Sequence, residues 1–233
     1  PRSAPFTSGA LFFLLIVASR LLTMIVQNGD FRALFRSPAQ MGKTALLNHW
    51  LEQNTGLVAD SLFANVACFD QYGSAEPYLP IMNAIGVFLK GPQQAQVQQL
   101  LRQYAPSWLV QIPSLLKSDE SEALKQELFG ATSARMLREF VDFIEVLSTH
   151  HPILLCIEDL HWCDIATLDL LAALTQRLSA HRFMLLASFR PSEARRSGSR
   201  LKAVLSQLQL HQQCQVIDLP GLLPEEVMIW LQR

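Results

Sequence analysis

The sequence predicts an α/β fold in three layers, a parallel β-sheet with helices packed on both faces. Three observations predict it. The runs LFANVACF (Leu62 to Phe69), PILLCI (Pro152 to Ile157) and FMLLASF (Phe183 to Phe189) are short and almost wholly apolar. Such runs suit strands buried on both sides, the condition of a parallel sheet. Segments of helical period separate them, and strand alternating with helix is the pattern of a layered α/β domain. Polar residues stand where the runs end: Glu158-Asp159 after the second and Arg190 after the third. In open α/β sheets, ligands bind at the carboxyl ends of the strands.

The elements follow in order. Lys43 to Asn54 has helical spacing, with Leu46, Leu47, Trp50 and Leu51 on one face. The first buried strand, Leu62 to Phe69, leads into a turn-rich segment, DQYGSAEPY. Leu79 to Leu89 and Pro92 to Tyr104 read as helices, the second opened by a proline in its first turn. Pro106 to Leu116 is a short apolar segment interrupted by Pro113. Ser121 to Phe129 reads as a helix closed by Gly130. A longer helix, Ala131 to Thr149, lines up Met136, Leu137, Phe140, Phe143, Ile144 and Leu147. After the strand at Pro152 to Ile157 comes a helix over Ile165 to Leu178, with Trp162 suited to packing it on the sheet. The strand Phe183 to Phe189 is followed by a basic, Ser/Gly-containing loop at Arg195 to Arg200 and a helix over Leu201 to Leu210. Gln213 to Leu219 is a further strand. Pro224 begins a last helix, with Glu225 and Glu226 near its positive end. A boundary falls near Leu219 to Gly221. No internal repeat or low-complexity tract occurs.

Composition narrows the functional classes. The 233 residues are enough for one large α/β domain, or one domain and the start of another. Nineteen basic residues against twenty acidic ones give a net charge of −1, with no basic stripe of the kind that tracks nucleic acid. Cys68, Cys156, Cys163 and Cys214 form no C-x-x-C pair, which points to a reduced, cytoplasmic protein. A zinc site from Cys156, His161 and Cys163 fits no common module spacing. The run ALFFLLIVASRLLTMIV (Ala10 to Val26) is 17 residues long and carries Arg20. A spanning helix needs roughly 20 apolar residues and pays heavily for a central arginine, so a buried helix is expected over a membrane anchor. Pro1 in the first position and the helical stretch GLLPEEVMIWLQR at the end suggest a segment of a longer protein.

Three constellations carry chemistry. SPAQMGKT (Ser37 to Thr44) fits the phosphate-loop pattern G-x-x-x-x-G-K-[ST] at Gly42, Lys43 and Thr44, but has Ser37 in place of the first glycine, followed by Pro38. Such a loop cradles phosphates with backbone N–H groups and a helix N-terminus. Lys43 would neutralise the β/γ-phosphates and Thr44 would ligate Mg²⁺. Ser37, Gly42, Lys43, Thr44 and Ala45 are the candidate nucleotide-binding residues. Pro38 removes one N–H donor. Glu158 and Asp159, beyond a buried strand, suit the magnesium shell and the attacking water beside a triphosphate. One acid would serve the metal and the other the water, in an order the sequence leaves open. Arg190, at the end of the next strand, could contact a terminal phosphate in the same crevice. His161 reads as structural. Alone, each feature has an ordinary alternative: a helix start, a capping acid, a surface arginine.

Together, YGSAEPYLPIMNAIG, YAPSWLVQIPSLL, PILLCIEDLHWCDIATLDLLAAL and LLASFRPSE resemble the STAND-type, AAA-class P-loop ATPase module of large bacterial signalling and transcriptional regulators. The resemblance covers about Gly42 to the C-terminus. It implies an ASCE-type P-loop NTPase sheet of strand order 5-1-4-3-2, binding of ATP and Mg²⁺, and slow hydrolysis used as a conformational switch. ATP as the nucleotide rests on it alone. It implies a domain from residue 40 to 220 followed by the start of a helical lid, with other domains of a longer chain or other proteins as partners.

The N-terminal part departs from this pattern. DFRALFRSPAQ puts two arginines where a central apolar strand belongs, so the first strand is expected to be defective and residues 1 to 39 foreign to the module. The sequence therefore supports an ATP-binding switch, with two alternatives: a nucleotide-free scaffold of the same fold, or a membrane-anchored regulator using residues 10 to 26.

Overall fold

A computed structural model describes residues 31–36, 48, 51–53, 55–59, 61–69, 76–112, 132–178, 181–194, 199–211 and 214–218. The apolar run at 10–26, the nucleotide-loop residues Ser37, Gly42, Lys43, Thr44 and Ala45, the helix expected at 121–129, and everything from Leu219 onward lie outside these.

Five strands form one sheet: β1 (Phe31–Arg36), β2 (Leu62–Ala67), β3 (Ile153–Glu158), β4 (Phe183–Phe189) and β5 (Gln215–Asp218). Their spatial order is β2-β3-β4-β1-β5, and every pairing is parallel. Read from the other edge this is 5-1-4-3-2. Burial follows position. All seven residues of β4 are buried, as are the first five of β3, while β2 at the edge alternates. A strand with neighbours on both sides and helices above and below has no face left for water.

The expected defect in the first strand is corrected by this arrangement. All six residues of β1 register against β4, from Phe31 opposite Met184 to Arg36 opposite Phe189, and its last four register against β5. Ladder hydrogen bonds come from the backbone, so Arg32 and Arg36 do not prevent the pairing.

The helices among the described residues are α1 (Thr55–Ala59), α2 (Leu79–Phe88), α3 (Gln94–Tyr104), α4 (Pro106–Leu109), α5 (Ser133–His150), α6 (Ile165–Arg177), α7 (Pro191–Ala194) and α8 (Ser199–Leu210). Residues 51–53 are also helical, within the helix expected at Lys43 to Asn54. The two longest of them, α5 and α6, start where side-chain oxygens cap them. Thr132 Oγ1 accepts from the Arg135 amide at 3.3 Å, and Asp164 Oδ1 accepts from the Thr167 amide at 2.8 Å. Each satisfies one of the free N–H groups of a first turn.

Trp108 joins three segments. It is fully buried, its ring lies 5.0 Å from Tyr78 and 4.6 Å from Phe140, and its indole N–H donates to the Met136 carbonyl at 2.8 Å. Beside it, Glu139 accepts from the Ser107 amide at 2.9 Å and from its hydroxyl at 3.0 Å. These bonds let the short α4 bury polar atoms against α5 without leaving them unpaired. Trp162 packs against the core from the segment before α6, as expected.

Candidate functional site

Because all five strands run the same way, their carboxyl ends share one edge. Arg36, Ala67, Glu158, Phe189 and Asp218 are the last strand residues there. β1 ends at Arg36 on this edge, between β4 and β5, and in sequence SPAQMGKT follows it. Glu158-Asp159 and Arg190 leave the same edge from β3 and β4. Ala67 stands opposite Glu158, and Ile157 opposite Ala187.

The two acids diverge. Glu158 is still in the strand, and its Oε1 accepts from Asn65 Nδ2 on β2 at 3.3 Å. Asp159 has φ 55° and ψ 46°, a left-handed conformation. Only Tyr78 shares positive φ among the described non-glycine residues. Asp tolerates this region better than most side chains, at some cost in strain. The turn is pinned from β4: the Asp159 amide donates to Ser188 Oγ at 3.2 Å. A one-turn 3₁₀ helix, Leu160–Trp162, follows. The Asp159 carboxylate therefore sits near β4, with Oδ1 3.6 Å from Arg190 Nε. Glu158 faces the β2 side and Asp159 the β4 side, where β1 is the next strand.

Arg190 is held from two directions. Its Nη1 donates to Glu193 Oε1 at 2.9 Å within α7. Its backbone N–H donates to His161 Nδ1 at 3.4 Å. His161 is buried, and its Nε2 lies 2.7 Å from Glu193 Oε2. That contact is close but outside hydrogen-bond alignment, so His161 Nε2 and Glu193 Oε2, like Arg190 Nε, are buried without a hydrogen-bond partner. Accepting at Nδ1 leaves the ring proton on Nε2.

The electrostatics agree with the geometry. Burial pushes the His161 pKa below its usual value, against the pull of Asp159 and Glu193. The hydrogen bond from Arg190 lowers the Glu193 carboxyl, and the same bond raises the Arg190 guanidinium. With side chains 29 % and 23 % exposed, this ion pair adds only about 0–1 kcal/mol to stability. Its consequence is orientation.

Sequence reasoning named Glu158, Asp159 and Arg190. The structure brings Asp159 and Arg190 together and leaves Glu158 toward β2. It missed three participants. Asn65 is a polar residue inside an apolar strand run, which was a usable signal. Glu193 is three residues after Arg190, a helical spacing hidden because no helix was expected at Pro191–Ala194. Ser188, the one polar residue of the run FMLLASF, accepts the hydrogen bond that holds the Asp159 turn. Cys156, His161 and Cys163 do not gather into a metal-holding group, and no group of three or more His, Cys, Asp or Glu occurs among the described residues. Cys156 is buried in β3, and the Cys163 thiol, raised above its usual pKa, neighbours Cys68. The pair of hard carboxylate oxygens fits Mg²⁺, which takes one or two protein carboxylates and completes its shell with water and phosphate. No described helix is long and apolar enough to cross a membrane.

Comparison with known proteins gives the same end point. A family model described as AAA ATPase domain matches residues 37–186. No curated protein matches the chain. Among solved structures, the fold is similar to the ORC2 protein of Aeropyrum pernix, solved in ADPNP and ADP complexes, with TM-score 0.54 and 13 % identity over 99 % of this chain and 53 % of that one. It is also similar to Cdc6p from Pyrobaculum aerophilum, with TM-score 0.52 and 13 % identity over 100 % of this chain and 51 % of that one. The chain thus spans about half the length of these proteins. At such identity the likeness establishes the fold, an α/β P-loop NTPase.

Proposed function

The chain belongs to the AAA ATPase domain family, and from that premise we propose that it is an ATP-binding, slowly hydrolysing switch module of a STAND-type bacterial regulator of signalling or transcription. The observation that carries the reading is the meeting of Asp159, just past β3, with Arg190, just past β4, the strand beside β1. In this reading Lys43 and the loop amides would bind the phosphates, and Thr44 with Glu158 would hold Mg²⁺. The bound magnesium would supply charge neutralisation at the phosphates. Asp159, on the β4 side, is the acid that holds the attacking water. Glu158, restrained by Asn65, is the acid left for the metal's shell. Arg190 contacts the terminal phosphate. Switching by bound nucleotide needs only slow turnover, and the partners are other domains of a longer cytoplasmic protein or separate proteins.

A second reading has its own observation. Ser37 and Pro38 replace a flexible glycine and remove a donor N–H, which favours a scaffold of the same fold without nucleotide. Calorimetry with Mg²⁺-ATP separates the two, with Lys43→Ala as control and circular dichroism as the check on folding. The switch reading expects binding that the substitution abolishes. A folded chain with no binding at all would hand the case to the scaffold.

A further inference from the structure

One arginine at the nucleotide edge stands among two carboxylates and a buried imidazole. Arg190 hydrogen-bonds Glu193 at 2.9 Å, while Asp159 remains at 3.6 Å from its Nε, short of a hydrogen bond. Arg190 Nε consequently has no hydrogen-bond partner although it is buried. An arginine closing on an aspartate normally makes the short, often bidentate bond that this pair lacks. Glu193 is what draws the guanidinium the other way. Behind it, His161 limits where the Glu193 carboxylate can go, with Nε2 at 2.7 Å and its side chain fully buried. His161 is itself tied to the Arg190 backbone through Nδ1. Glu193, His161 and Arg190 therefore form a closed loop of contacts that fixes the guanidinium.

We propose that Glu193 is a positioning residue for nucleotide hydrolysis: it holds the Arg190 guanidinium off Asp159, leaving that carboxylate for water and aiming the arginine at the phosphates. The proposal rests on the ATPase reading above. A direct Arg190–Asp159 pair would occupy the Asp159 oxygens and make them poorer proton acceptors, because a neighbouring cation favours the ionised form. Without the charge of Glu193, Asp159 is the nearest anion to Arg190, and a side-chain rotation closes the gap. Neither residue would then be free for the reaction. Glu193 touches no reacting atom and acts through Arg190 alone.

A double-mutant cycle tests this on the full chain. Mg²⁺-ATP affinity and single-turnover hydrolysis are measured for wild type, Glu193→Gln, Arg190→Gln and the double variant, with circular dichroism for each. Glu193→Gln is expected to slow hydrolysis about 10- to 100-fold, the scale of a misplaced or disabled catalytic group. Its ATP affinity stays within about two-fold. In the Arg190→Gln background, Glu193→Gln changes nothing further, because the residue through which it acts is gone. Loss of the same size in both backgrounds would mean that Glu193 merely supports the local fold, and would overturn the proposal. So would unchanged hydrolysis in Glu193→Gln. Should the glutamine variant not fold, Glu193→Asp runs the same cycle with the charge kept and the arm shortened, and its loss must likewise vanish without Arg190. A folded wild type that binds no ATP overturns the ATPase reading and this proposal with it. A wild type that hydrolyses ATP beside an unaffected Glu193→Gln overturns the proposal alone.

Discussion

At the scale of single residues, His161 shows how burial and charge compete. The ring is buried beside two carboxylates, and burial wins: its pKa is lowered. A histidine whose folded pKa lies below its unfolded value of about 6.5 takes its proton more readily in the unfolded chain, so stability falls as pH drops through that region. Glu193 acts in the same direction at lower pH. Its folded pKa is depressed, so its contribution is present above the unfolded carboxyl value and is lost on further acidification. The thermal midpoint should therefore fall between about pH 7.5 and about pH 5.5, and fall less in a folded His161→Gln variant. A level midpoint over that range would contradict the burial argument. The sequence named His161 as structural, and its burial agrees. Its contact with Glu193 was not legible, because a strand order that sets β3 beside β4 does not show the one-turn α7 that brings Glu193 to the imidazole.

At the scale of elements, legibility followed burial. The strand Phe183–Phe189 was readable to the residue because all seven positions are buried and apolar. The expected helix over Ile165 to Leu178 agrees with α6 within a residue, since Asp164 marks its start with a capping carboxylate. Both Asp164 oxygens are used, Oδ2 accepting from the Thr167 hydroxyl at 2.6 Å. Asp164→Ala should cost about 1–2 kcal/mol, seen as a lower urea midpoint at unchanged slope. A change in slope would instead point to an altered unfolded state. The short elements were illegible. One-turn helices such as α4 and α7 carry too few residues for a period to show, and α1 follows directly on a longer expected helix. β1 was misjudged for a different reason. Its arginines broke the apolar pattern, yet strand pairing depends on backbone groups that every residue except proline supplies in full.

At the scale of the whole molecule, one core extends from the sheet through α2, α5, α6 and α8 and reaches Trp108. Trp108→Ala should be among the costliest single changes, at about 3–5 kcal/mol, because it empties a fully buried site and strands the partners of the indole. Equilibrium unfolding followed by fluorescence of the remaining tryptophans and by circular dichroism would check it. A loss below about 1 kcal/mol would mean that α4 is only loosely attached. The strand order also has a consequence in time. β1 is the earliest strand to leave the ribosome among those described, yet both its neighbours, β4 and β5, begin about 150 residues or more after it ends. At roughly 5–20 residues per second, the segment that leads into the nucleotide loop waits roughly 7–30 s for its first partner. During that interval it is an unpaired strand, open to chaperones and to other unpaired strands. The edge that would meet ATP is therefore completed only after β4 and β5 have been made.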